Sequence, residues 1–373
     1  MKTLLKTMYV VLASAWVSAP QAGSQTSPQR DSEQVLRWNR IALEAVERAK
    51  PSQHEAVRLL AYLSLAQNLV ANGGASRETI GEAMTTASMR VIAAILPGQA
   101  TFVQERHREL QANESEPGIR IAERVLADAQ QDGFAQAWNG SVPQASYAWR
   151  SLAQPPRPPA YPAIATMHTF FVDSGQAFRV APPPEAGSAR FVDDLAEVRH
   201  HAATPTPETI RLAKFYDMST GTLAGGFWNE RAGELIRDRG DDEQQATTIL
   251  ATVNGAMMDA LVACHDSKYT YWVPRPSQAD SSIKPLIGVP NHPSYPSNHS
   301  CLSTAAAEVL AHFFPDERKR LAGIATEAGA SRIYAGIHYR FDVEAGAAIG
   351  RQTAAAAVAR QAEVLGQIGR AHV

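Results

Sequence analysis

An all-α fold is what this sequence predicts, on three observations. Apolar residues recur at helical spacing, capping signals open the apolar runs, and no β-rich runs occur at regular intervals. No internal repeat is found. Ser52 with Glu55 makes a capping-box signature ahead of Leu59, Leu60, Leu63, Leu65 and Leu69. Gly73-Gly74 ends that helix, and Ser76 is placed to cap the next, which should run to Pro97. A further helix is expected over residues 118–129. The proline-rich stretches 154–162 and 182–184 must be loops, because proline fixes φ and removes a backbone donor. Thr206-Pro207-Glu208 reads as a cap followed by proline at the first helical position. Ala246, Ile249, Leu250, Val253, Met257 and Leu261 then keep one apolar face leading to Lys268. Residues 300–314 form another expected helix, stopped at Pro315. The last should run from about His338 to Leu365, with Gly346, Ala347 and Gly350 allowing close helix contact.

The chain has 373 residues and a net charge of −2, which argues against nucleic acid or anionic lipid as the main partner. Residues 1–22 have the layout of a secretory signal: lysines at 2 and 6, an apolar run from Thr7 to Ala19, then small residues, with cleavage expected after Ala22. That core is too short to span a bilayer, and no later stretch reads as apolar enough to do so. The expectation is therefore an exported protein without stable membrane insertion. Its body divides into an N-terminal helical half, 30–160, and a C-terminal half, 161–368, packed as one unit.

The chemistry concentrates in three short segments. Lys268 precedes Arg275-Pro276; Pro296-Ser297-Asn298-His299 opens an apolar run; Ser331-Arg332 is followed by His338 and Asp342. Together they supply three cations, two imidazoles, a hydroxyl and a carboxylate, an inventory suited to a small tetrahedral or trigonal-bipyramidal oxyanion. Arg275 and Arg332 can each present a planar fork, and Lys268 a compact charge. Pro276 places Lys268 and Arg275 on a shaped loop rather than a helix face. Backbone N–H groups at the helix start, with the Ser297 hydroxyl, would seat an anion at the positive end of the dipole. His299 is the candidate general acid or base. His338 and Asp342, four apart, share a face if the helix has begun, so the carboxylate can take Nδ1–H and free Nε2 for bonding. Gly336 supplies the turn that Arg332 needs to meet His338.

The only cysteines are Cys264 and Cys301. If Lys268 and His299 converge on one anion, these sulfurs come near each other, and export permits a disulfide. A zinc site from Cys264, His265, His299 and Cys301 is disfavoured because neither pair has finger spacing. His107 and His200-His201, set among charges, read as solvated helix surface, and His312 falls near a helix C-terminus.

Each element alone is a weak signal; ten positions in fixed order, each matched by chance roughly once in twenty, are not. The set resembles the signature of the type 2 phosphatidic acid phosphatase and vanadium haloperoxidase superfamily: Lys-x6-Arg-Pro, Pro-Ser-Gly-His and Ser-Arg-x5-His-x3-Asp. One position departs, Asn298 where the family usually has glycine; asparagine keeps the N–H and tolerates unusual φ. Upstream, Ser174-Gly175-x2-Phe178-Arg179 before Pro182-Pro183-Pro184, and Phe227-Trp228-Asn229, resemble the haloperoxidase-related branch, so the likeness spans about residues 50–360.

The resemblance implies a helical-bundle assembly and two possible reactions. As a haloperoxidase, the chain would bind vanadate through His338, with Lys268, Arg275, Ser297, the Asn298 amide and Arg332 on the other oxygens and His299 assisting proton transfer. As a phosphatase it would need no cofactor: His338 would be the nucleophile and His299 the leaving-group acid. His292, seven before His299, matches bromide-using members, and His265, three before Lys268, replaces the tryptophan of chloride-oxidising ones, so bromide or iodide is the expected halide. An inactive anion-binding module is the third reading. All three take a small anion.

Overall fold

Every regular element is helical among residues 32–73, 77–145 and 147–370, the part of the chain that the computed structural model describes. The signal segment and the Ser76 cap lie outside these residues. The first five helices are α1 (Glu33–Ala49), α2 (Gln53–Asn72), α3 (Arg77–Ile95), α4 (Ala100–Glu109) and α5 (Glu116–Gln131). A long connection, 132–188, contains both proline-rich loops and two short 3-10 turns. Then follow α6 (Ala189–Ala203), α7 (Pro207–Phe215), α8 (Leu223–Arg239), α9 (Glu243–Tyr271), α10 (Pro276–Ala279), α11 (Asn298–Phe313), α12 (Arg318–Tyr334) and α13 (Arg340–Arg370).

Local chemistry starts these helices where expected. Ser52 Oγ accepts from Glu55 N at 3.2 Å while Glu55 accepts from Ser52 N at 2.8 Å, so both halves of the capping box form. Thr206 caps α7 through the Thr209 amide, and Asp242 caps α9 through the Gln245 amide. Such a cap stabilises a helix by about 1 kcal/mol.

One continuous apolar core joins α1, α2, α3, α5, α8, α9, α11 and α13, so both halves of the chain contribute to it. At its centre runs α9, buried on every face from Ile249 to His265. This corrects the expectation that no later stretch is apolar enough to cross a membrane: residues 243–279 contain an 18-residue window that is, but 94% of it is buried inside the protein. A helix apolar all round serves either solvent, and here neighbouring helices supply it.

Small residues set the approach of α13 to α11. A Cβ on Gly346 would lie 2.5 Å from Ser297 O, and one on Gly350 2.6 Å from Cys301 O. Only glycine lets α13 run this close to the start of α11, where the anion seat is expected. Upstream, Gly175 packs closely on α9, where a Cβ would lie 2.9 Å from Val262 Cγ1, and Trp228 Nε1 donates to Ser303 Oγ at 3.1 Å, so both upstream motifs brace the helices that carry the site.

His107 is buried, not solvated as expected. It is an inward position of α4, while Arg106 and Arg108 reach outward to Glu109 and Gln104 O.

Candidate active site

The three segments converge. Lys268 sits in the last turn of α9, which ends at Trp272 in the left-handed conformation (φ 51°). Arg275 then becomes the N-cap of α10, with Pro276 at its first position. The expectation that Lys268 lies on a loop is therefore wrong. Pro276 begins a new helix rather than ending one, and α9 persists because the Lys268 ammonium is satisfied inside the protein. Its Nζ donates to Pro293 O (3.0 Å) and Ser294 O (2.9 Å), and also to Pro296 O. An ammonium has three N–H groups, so all are spent on the loop before α11. Lys268 clamps that loop and contributes its charge from behind. Burial brings its pKa down to about 8.

Arg275 and Arg332 differ in what they leave free. Arg275 donates to His292 O (3.1 Å), Ile337 O (2.9 Å) and His338 Nε2 (3.0 Å), and Nη2 lies 3.2 Å from His292 Nδ1. Arg332, on α12, donates from Nη1 to Tyr216 O at 2.6 Å, and its buried Nε has no partner in the protein. Burial lowers both guanidiniums to about 10, and both remain cationic at neutral pH.

Gly336, at φ +77°, turns the chain after α12 so that His338 precedes α13 and Asp342 lies in its first turn. His338 Nδ1 is 2.8 Å from Asp342 Oδ2, which also accepts from Ser294 Oγ (2.6 Å) and Tyr339 N (3.1 Å). The Arg275 N–H that donates to Nε2 and the carboxylate that accepts at Nδ1 require one tautomer, with the lone pair on Nε2. Burial pushes His338 well below its ordinary pKa, reinforced by Arg275, Lys268 and Arg332, so the ring is neutral. Burial raises Asp342 to about 6, against the hydrogen bond from Ser294.

The start of α11 has the character of an anion seat. Ser297 N donates to Asp342 O at 3.0 Å, which ties the cap to α13. The first intrahelical bond is Cys301 N to Ser297 O, leaving the amides of Asn298, His299 and Ser300 without an i−4 acceptor. Ser297 Oγ, Asn298 Oδ1, His299 Nε2 and Arg332 Nε are all buried without a partner in the protein. Leaving a buried polar group unpaired costs about 1–3 kcal/mol; of these four, the Ser297 hydroxyl and Arg332 Nε–H can donate to a bound oxyanion beside the helix N-terminus, whereas Asn298 Oδ1 can only accept. Vanadate and phosphate both fit this donor set. Burial and the neighbouring Arg332 depress His299, while the backbone at Tyr216 and Asp217 acts the other way.

The site borders a cavity of about 410 Å³, whose wall includes Asn298, His299, Arg332, His338 and His292 together with His54, Tyr161 and Asp217. Here the sequence reading missed residues. Ser294, which braces Asp342, was detectable as a hydroxyl in the same proline-rich loop. His54 was not: it comes from the first turn of α2 and meets His265 with Nε2 to Nε2 at 3.1 Å. His265 and His292 are close behind, with ring centroids 6.0 Å apart. His265 lies at this wall without bordering the cavity directly.

The expected disulfide is absent: Cys264 and Cys301 are free, buried thiols. The convergence that suggested it is present, since the two side chains interact and Cys264 Sγ points to Pro296 O at 3.8 Å.

Residues 248–364 match the sequence profile described as the PAP2 superfamily. Among curated proteins, the chain is 27% identical over 198 residues to a non-specific acid phosphatase of Providencia stuartii, spanning 50% of this chain and 77% of the relative. The corresponding enzyme of Salmonella typhi is 28% identical over 198 residues, spanning 51% and 77%. Among solved structures, a bacterial vanadium-dependent iodoperoxidase superposes with a TM-score of 0.77 at 22% identity, over 88% of this chain and 96% of that one. A holo-type bacterial vanadium-dependent chloroperoxidase gives 0.69 at 14% identity, over 86% and 96%. At these identities the superpositions show a shared fold.

Proposed function

Through residues 248–364 this chain belongs to the PAP2 superfamily, and from that premise we propose that it is a vanadate-dependent haloperoxidase, oxidising iodide or bromide with hydrogen peroxide. The observation that carries the reading is the pair of unpaired buried donors, Ser297 Oγ and Arg332 Nε, with His299 Nε2 also unpaired beside them, around the start of α11. The choice between the two superfamily chemistries is supported by extent. The iodoperoxidase fold superposes on 88% of this chain, whereas the phosphatase sequences align with about half.

His338 would bind the metal through Nε2, with Asp342 holding the ring by its Nδ1 proton. Ser297, the α11 amides, Arg332 and the remaining N–H of Arg275 would hold the oxygens. Lys268 adds positive charge while clamping the 293–296 loop. His299, neutral when the site is free, is placed to take and return a proton as peroxide enters. Vanadate, when bound, supplies the Lewis acidity that makes peroxide electrophilic toward halide. The basic, apolar and small-residue layout of residues 1–22 supports export of the mature protein.

One observation favours phosphomonoester hydrolysis as a second reading: the curated sequence relatives are acid phosphatases. The same Nε2 lone pair would attack phosphorus, and His299 would protonate the leaving alkoxide. A single titration separates the two. In the first reading, orthovanadate added to the purified protein switches on iodide or bromide oxidation. In the second, it only inhibits cleavage of p-nitrophenyl phosphate.

A further inference from the structure

The part of the cavity wall that His54 lines has a hydrogen-bond polarity of its own. His265 Nδ1 lies 2.9 Å from Leu261 O, one helical turn back, and a carbonyl can only accept. Nδ1 of His265 therefore carries the proton and its Nε2 the lone pair. That lone pair faces His54 Nε2 at 3.1 Å, so His54 must donate from Nε2. The remaining polar atom of His54, Nδ1, is then a bare acceptor, buried and without a partner in the protein. Both rings are neutral: burial lowers His54 to about 3 and His265 well below its ordinary value. The ring is held firmly. It sits in the first turn of α2 behind the Ser52–Glu55 capping box, and Tyr161 covers it with ring centroids 4.3 Å apart.

We infer that His54 is a substrate-binding residue whose Nδ1 accepts a hydrogen bond from a neutral O–H group entering the cavity. A lone pair there repels a bare halide, so this side of the cavity selects the hydroxyl-bearing reactant: hydrogen peroxide, or the hydroxylated alcohol portion of a phosphoester. The inference rests on the cavity being the reaction site, as proposed above.

Two variants separate the roles of the two nitrogens. In His54→Asn the side-chain amide occupies the Nδ1 region but does not reach His265; in His54→Gln it reaches the Nε2 region and leaves Nδ1 empty. In vanadate-loaded protein at saturating iodide, His54→Gln should raise the KM for hydrogen peroxide roughly fivefold, the value of one neutral hydrogen bond. His54→Asn should stay within about twofold of the parent, and neither should change the KM for iodide. If ester cleavage is the activity found, the same pattern should appear with 2-hydroxyethyl phosphate and not with ethyl phosphate. Equal losses in both variants, or loss in His54→Asn alone, would reduce His54 to a support for His265. A readout independent of turnover is the imidazole 15N spectrum of the full chain. Nδ1 of His54 should resonate as an unprotonated nitrogen and shift when hydrogen peroxide or 2-hydroxyethyl phosphate is added. A protonated Nδ1, or no shift with either probe, overturns the inference even if the enzyme catalyses neither reaction.

Discussion

Asp342 Oδ2 holds the Nδ1 proton of His338 at 2.8 Å, and that one bond puts the ring's lone pair on Nε2, where Arg275 Nη1 donates to it and an incoming anion would have to replace that N–H. The carboxylate is itself oriented by Ser294 Oγ and the Tyr339 amide, so the loop before α11 and the first turn of α13 act on one imidazole. Asp342→Asn preserves the shape but removes the charge that fixes the tautomer. It should lower orthovanadate affinity and kcat/KM by roughly 10- to 100-fold. Isothermal titration and steady-state rates on the folded variant check this, and unchanged affinity would detach Asp342 from the ligand histidine.

The two cations flanking the site should respond differently to removal. Arg332→Met deletes a desolvated charge whose Nε has no protein partner and strands a single carbonyl, Tyr216 O, the loss of which is offset by relief of the buried charge. Anion affinity should fall at least tenfold while the urea midpoint stays the same or rises. Lys268→Met strands the carbonyls of Pro293, Ser294 and Pro296, so stability and affinity should fall together. Equal loss of stability in both variants would contradict this division of roles.

Much of this was legible in the sequence because the chemistry demands particular residue types: two guanidiniums, a lysine, and a histidine four residues before a carboxylate. Ser297 ahead of an apolar helix was readable for the same reason. What Lys268 does with its protons was not readable, because its partners are backbone carbonyls that carry no side-chain signature. His54 was hidden by distance: only the packing of α2 on α9 brings it to His265. His107 misled because its neighbours are charged, whereas its burial depends on which face of α4 packs inward.

Close helix approach at the seat makes a second kind of demand. Gly346→Ala would put a Cβ 2.5 Å from Ser297 O and 2.9 Å from Ser300 Cβ, pushing α13 from α11. A stability loss of about 1–3 kcal/mol is expected, with weakened anion binding. Gly323→Ala, on α12 with nothing within 4 Å of the new Cβ, should stabilise by about 0.5–1 kcal/mol. Chemical denaturation of the pair provides the comparison, and a neutral Gly346→Ala would refute the contact.

Stability should fall as pH drops below neutrality. Burial depresses the five imidazoles gathered at the site, His54, His265, His292, His299 and His338, while His201, also depressed, and Glu230, raised, act in opposite senses away from it. A depressed histidine is neutral when folded and takes up a proton on unfolding, so its contribution is lost as pH falls through 6.5, for His54 down to about 3. Asp259 and Asp342, raised to about 7 and about 6, work in the opposite sense: the folded state holds protons that the unfolded chain has released above pH 4. Five groups outweigh two, and each net proton adds about 1.4 kcal/mol per pH unit. The urea midpoint should be markedly lower at pH 5 than at pH 7.5, and a flat or rising profile would contradict the burial of neutral imidazoles.

The most direct test is a crystal structure of the protein soaked in orthovanadate. The account predicts vanadium bonded to His338 Nε2, with its oxygens on Ser297 Oγ, the start of α11 and Arg332. Vanadate bound elsewhere, or a vacant cradle at saturating concentration, would contradict it.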